Sequence, residues 1–183
     1  MHKDTDAIRT QAERSPHKEH SVPVYLTSSF VFDDAEEMRA AFADEIERNI
    51  YSRFTNPNVT EFVDKMCQLE GAEAGYATAT GMAAVFATFA GLLGVGDHIV
   101  SGRAIFGSTH TILTKILPRF GITHSYVDVA DGIDGWAAAI TSATRMIYVE
   151  TPTNPGLEIA DMDALGALAA ARGVLLVVDN CMA

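Results

Sequence analysis

From residue 75 to residue 179 the sequence alternates between short apolar runs and longer segments with helical spacing of their apolar residues. The runs read as strands at Gly75–Thr78, His98–Ser101, Thr123–Val127, Arg145–Glu150 and Val174–Asp179. Helices are predicted between them at Met82–Leu93, Ser108–Phe120, Gly135–Ile140 and Asp161–Arg172. A strand that returns through a helix to another strand must run parallel to it. The alternation therefore predicts an α/β fold with a mostly parallel central sheet flanked by helices. The part before residue 75 is less regular. Residues 1–20 read as an extended arm, and Val24–Phe32 as an extended or strand-like piece whose Pro23 argues against a central position. Asp33 and Asp34 can cap a helix over Ala35–Glu47, and Pro57 opens another that stops at Gly71.

Charge and composition exclude several classes. Thirteen Lys and Arg against twenty-four Asp and Glu give a net charge of −11 over 183 residues, a surface that repels nucleic-acid phosphates. No apolar run approaches the roughly 18 residues of a membrane span, and the first residues are polar, so a cytoplasmic protein is expected. Cys67 and Cys181 form neither a metal spacing nor a disulfide framework, and His98, His110 and His124 have no metal-ligand spacing. The sequence stops four residues beyond the apolar run ending at Asp179, and reads as the N-terminal half of something larger.

In an open α/β sheet, ligands gather at the loops after the carboxyl ends of strands. Four such places carry unusual residues. Thr80-Gly81-Met82 opens a helix, where free N–H groups and a glycine suit a phosphate, although a plain tight turn would use the same residues. Asp179 ends an apolar strand and there wants a cation, a helix to cap or a protonated ring nitrogen. Pro152 and Pro155 flank Asn154 and are expected to hold its loop extended with the amide aimed at a ligand; the alternative is a simple turn. The loop Tyr51-Ser52-Arg53 offers a guanidinium fork, and Phe106 is either a stacking surface for a flat ligand or a core aromatic. A phosphate, a flat ring and a cationic ring nitrogen together describe pyridoxal phosphate.

The segments Tyr51-Ser-Arg-Phe-Thr-Asn-Pro57, Thr80-Gly-Met-Ala-Ala84, Phe106-Gly-Ser-Thr109, Glu150-Thr-Pro-Thr-Asn-Pro155 and Val177-Val-Asp-Asn-Cys181 resemble, in order and spacing, the Cys/Met-metabolism branch of fold-type-I pyridoxal-phosphate enzymes. The resemblance implies a truncated three-layer large domain: an N-terminal arm and helix over residues 1–50, then the first part of the cofactor-binding domain over 51–183. It implies that Gly81 and Met82 bind the cofactor phosphate, that Tyr51 and Arg53 reach it from a neighbouring subunit of a homodimer or homotetramer, and that Phe106 stacks on the ring. Asn154 would bond the ring oxygen and Asp179 the ring nitrogen, with Asp179 the catalytic residue present. Within the family the sequence is most similar to the sulfhydrylases of O-succinylhomoserine. This implies a γ-replacement in which sulfide displaces succinate to give homocysteine. Many lyase members have tyrosine where this chain has Phe106. The family's Schiff-base lysine would lie in a Ser-x-Thr-Lys motif past residue 183, so Lys3, Lys18, Lys65 and Lys115 are not substitutes and the chain alone is expected to be inactive. A cystathionine γ-synthase or γ-lyase, an O-acetylhomoserine sulfhydrylase, a non-catalytic remnant and an unrelated phosphate-binding α/β protein are the competing readings.

Overall fold

The computed structural model describes residues 3–10 and 14–183, so parts of the expected arm (residues 1–2 and 11–13) lie outside the described residues. The chain forms two compact units, Met1–Thr78 and Ala79–Ala183.

The second unit is built on four parallel strands, β1 (His98–Gly102), β2 (Thr123–Val127), β3 (Thr144–Glu150) and β4 (Leu175–Asp179), in the spatial order β2-β1-β3-β4. Every residue of β1 is buried, and all but Arg145 of β3, whereas β2 and β4 are only partly covered. Side chains of the two central strands alternate between two cores, as a strand's period of two requires. Ile99, Met146 and Tyr148 join Phe89, Leu113 and Leu117 on one face. Val100, Ile147 and Val149 join Trp136, Leu165 and Ala169 on the other. The result is the expected three-layer arrangement.

The helices of this unit follow from their ends. Thr80 caps α4 (Gly81–Leu92) by accepting from the Ala83 N–H, and Asp161 caps α7 (Met162–Arg172) by accepting from the Ala164 N–H. Gly173 ends α7 in the left-handed region, φ +62°. The helix expected over Ser108–Phe120 is instead a composite: an α-helical turn (Gly107–Thr111), a π-helical turn (Ile112–Ile116) and a 3₁₀ turn (Leu117–Phe120). Pro118 has no N–H to continue the ladder, and Gly121 at φ +72° closes the segment. A short helix, Gly132–Ala139, precedes β3.

The first unit contains helices Lys3–Arg9, Ala35–Phe42 and Pro57–Glu70. The last starts at Pro57 and ends at left-handed Gly71, as expected. The helix predicted to reach Glu47 stops at Phe42, because the chain turns through Asp44 at φ +55° while Arg39 bridges Glu36 and Glu45. Val24–Phe32 is not a strand. Among the described residues its ladder contact is the single bridge Ser29–Tyr51, made by Phe30 N–H to the Ile50 carbonyl and Ser52 N–H to the Ser28 carbonyl. Side-chain amides serve the rest: Tyr25 N–H donates to Asn58, and Asn56 donates to the Tyr25 carbonyl. Gly75–Thr78 forms no strand either. Gly75 packs so closely on the helix Pro57–Glu70 that a Cβ would meet Cys67 Sγ and Val63 Cγ1 at 3.0 Å.

Candidate active site

The sheet order reverses at β1, whose neighbours are β2 on one side and β3 on the other. Such a switch point leaves a crevice beyond the carboxyl ends of the strands. A pocket of about 540 Å³ opens there. It is lined from α4 by Thr80, Gly81 and Met82, from the loop after β1 by Phe106, from the loop after β3 by Asn154, and from the end of β4 by Asp179.

At the α4 end, the N–H groups of Gly81 and Met82 precede the first intrahelical bond, the donation of Ala84 N–H to the Thr80 carbonyl at 3.1 Å. A Cβ added at Gly81 would meet nothing within 4 Å. Gly81 and Met82 line the pocket, so these helix-start N–H groups are donors that an anionic group in the pocket can use.

Across the pocket, Glu150 ties two loops together. It is 4% exposed. One carboxylate oxygen accepts from the Phe106 N–H at 2.7 Å and the other from the Asn154 N–H at 2.8 Å. Register places Glu150 beside Asp179, the final pair of β3 and β4. Phe106 is 44% exposed at the pocket wall, so it is not a core aromatic. The loop bearing Asn154 is a turn rather than an extended segment. Leu157 N–H donates to the Thr153 carbonyl, Glu158 N–H donates to the Thr153 hydroxyl, and the peptides before Pro152 and Pro155 are cis.

Asp179 is held from two directions. Its Oδ1 accepts from the Cys181 N–H at 3.2 Å and its Oδ2 from the Tyr148 hydroxyl at 3.0 Å. Tyr148 is 1% exposed, with its ring edge-on to Phe89 at 5.1 Å. Burial, and then the charge of Asp179, push its phenol well above the ordinary tyrosine value, so the phenol stays protonated and acts as a donor. The Thr109 hydroxyl is fully buried and has no hydrogen-bond partner among the described residues.

The pocket thus gathers Gly81, Met82, Phe106, Asn154 and Asp179. Tyr51 and Arg53 do not line it. They lie together in the first unit, where the Arg53 guanidinium sits over the rings of Tyr51 and Phe54 at 5.1 and 5.2 Å. Among the described residues no lysine lines the pocket. Cys181 is exposed and lines the pocket. Neither Glu150 nor Tyr148 is assigned a role by sequence reasoning. The available signals are a glutamate closing a buried strand and a lone phenol in the run Met146-Ile147-Tyr148-Val149, since a buried phenol needs a partner. His98 is a satisfied core histidine, its ring nitrogens bonded to Thr144 and Ser125.

Comparison with known proteins bears on this geometry. Residues 4–183 match the family model described as Cys/Met metabolism PLP-dependent enzyme. The chain is 43% identical over 178 residues to an O-succinylhomoserine sulfhydrylase of Pseudomonas aeruginosa, covering 97% of this chain and 44% of that protein. It is 38% identical over 180 residues to an L-methionine gamma-lyase of Fusobacterium nucleatum subsp. polymorphum, covering 98% of this chain and 45% of that one. Among solved structures, one from Campylobacter jejuni carrying N'-pyridoxyl-lysine-5'-monophosphate superposes with a TM-score of 0.92 at 29% identity, covering 98% of this chain and 44% of that one. The chain spans less than half the length of these relatives.

Proposed function

This chain belongs to the Cys/Met-metabolism family of pyridoxal-phosphate-dependent enzymes, and from that premise we propose that it is the N-terminal part of a sulfhydrylase replacing the succinyl group of O-succinylhomoserine with sulfide to give homocysteine. One observation carries the reading: a single pocket at the sheet's switch point brings together a helix start, an aromatic face, an amide and a carboxylate. Those groups fit pyridoxal phosphate, with the helix-start N–H groups of Gly81 and Met82 for the phosphate and the Asp179 carboxylate for a protonated nitrogen.

In this reading the N–H groups of Gly81 and Met82 hold the phosphate, Phe106 covers one face of the ring, and Asn154 donates to the ring oxygen. When bound, the cofactor supplies an electron sink for the charge that develops on the amino-acid substrate. Asp179 is the catalytic carboxylate because it keeps the proton on the ring nitrogen, which that sink requires. Tyr51 and Arg53 reach the phosphate in the pocket of a second copy, making the complete site a property of a homodimer or homotetramer. In this reading the covalent lysine lies outside residues 1–183. Phe106 has no hydroxyl to move a proton, which favours a sulfhydrylase over a methionine γ-lyase.

The test is to supply the complete enzyme with O-succinylhomoserine and sulfide and to measure homocysteine. Homocysteine formation that falls roughly 100-fold or more in Asp179→Ala, with far-UV circular dichroism unchanged, is the expected result. Volatile thiol released from methionine in place of homocysteine formation would assign the lyase instead. Near-normal turnover in Asp179→Ala would remove Asp179 from the mechanism.

A further inference from the structure

Tyr148 lies beneath the pocket and touches its most consequential carboxylate. Its ring is packed in the core edge-on to Phe89, and its hydroxyl donates to Asp179 Oδ2 at 3.0 Å. Asp179 closes β4, and its other oxygen takes a local bond from the Cys181 backbone at 3.2 Å. A carboxylate tethered by one local bond can rotate about χ2. A second bond, from a phenol fixed in the densest part of the core, removes that freedom. We propose that Tyr148 is the positioning residue of this site: its hydroxyl fixes the plane of the Asp179 carboxylate and leaves one oxygen directed at the pocket.

The proposal rests on the reading that Asp179 meets the ring nitrogen of pyridoxal phosphate, and it adds how that carboxylate is aimed. Chemistry makes tyrosine suited to the task. Its donor is neutral, so it orients Asp179 without neutralising the charge that a protonated nitrogen needs. A lysine or arginine there would compete with the ring for the same carboxylate. The phenol's depth keeps it protonated across the working pH range, so the donor is always present.

A double-mutant cycle on the complete enzyme separates this role from ordinary packing. Tyr148→Phe keeps the ring on Phe89 and removes only the hydroxyl. The readouts are affinity for pyridoxal phosphate and the ¹⁵N shift of a labelled ring nitrogen in the bound cofactor. Tyr148→Phe is expected to weaken cofactor affinity by roughly five- to tenfold and to move the ¹⁵N signal toward that of Asp179→Asn. In the Asp179→Asn background the same change should have no further effect. An equal loss in both backgrounds, or no loss and no ¹⁵N change in the single variant, overturns the proposal. The underlying reading fails separately: Asp179→Asn alone would then leave both readouts at their wild-type values.

Discussion

The two compact units of this chain differ sharply in what they bury. In residues 79–183 two apolar cores sandwich a parallel sheet, and the central strands are covered on both faces. In the described residues of 1–78 the buried positions are Ala41, Asn56 and Glu61, of which just one is apolar. Leu26 is 94% exposed and Phe62 56%. The second unit is organised by burial of apolar surface. The first is organised by side-chain amides, helix caps and ion pairs such as Lys65–Glu61, which fix local shape at small net gain. The pocket lies wholly in the unit that has its own core, consistent with a site that needs its groups held rigidly.

Core deletions should separate the units most. Leu113 is fully buried, and Leu113→Ala should cost about 2–5 kcal/mol in denaturant unfolding. Phe62→Ala, by contrast, should cost less than about 1 kcal/mol. A loss at Phe62 equal to that at Leu113 would break the comparison by showing that the exposed stripe Val59, Phe62, Met66 and Leu69 is covered in solution.

Next in size is Glu150→Gln. The amide offers one acceptor where the structure needs two, and its NH₂ would confront a backbone N–H of Phe106 or Asn154. A stability loss of about 1–3 kcal/mol should accompany weaker cofactor binding, measured by thermal shift and by cofactor titration. Unchanged cofactor affinity would mean that the two loops keep their spacing without the carboxylate.

Arg53→Ala tests whether the weakly packed unit contributes to the site. Cofactor retention should fall roughly tenfold, as for loss of one charged hydrogen bond, with unfolding unchanged. Unchanged retention on gel filtration would confine cofactor binding to the second unit.

The smallest effect is on pH dependence. Burial holds the His98 imidazole below its ordinary value, and His124 likewise. Each favours its neutral form in the folded chain, so the unfolded chain binds more protons as pH falls through about 6.5. Stability contributed above that pH should therefore decline toward the lower folded values. His98→Asn should flatten the slope of unfolding free energy below about pH 6.5. An unchanged slope would place the titrating groups elsewhere.

The same contrast explains what was legible in the sequence. The central strands at 98–102 and 144–150 announce themselves because burial on both faces of the sheet demands apolar runs, and those at 123–127 and 175–179 follow from the alternation with helices. The misread segments, 24–32 and 75–78, are apolar too, but their backbone partners are Asn56, Asn58 and the close approach at Gly75, which no periodicity encodes. At the site, Gly81, Phe106, Asn154 and Asp179 stand out as odd residues at strand exits, and the structure brings them to one pocket. Glu150 and Tyr148 did not stand out, because each acts through a partner distant in sequence: Phe106 for the one, Asp179 for the other.

The most direct test of the account is a crystal structure of the protein loaded with pyridoxal phosphate. The account predicts the phosphate on the N–H groups of Gly81 and Met82, the ring against Phe106, and the ring nitrogen within hydrogen-bond distance of Asp179. A phosphate seated away from the start of α4, or a ring nitrogen turned from Asp179, would contradict it.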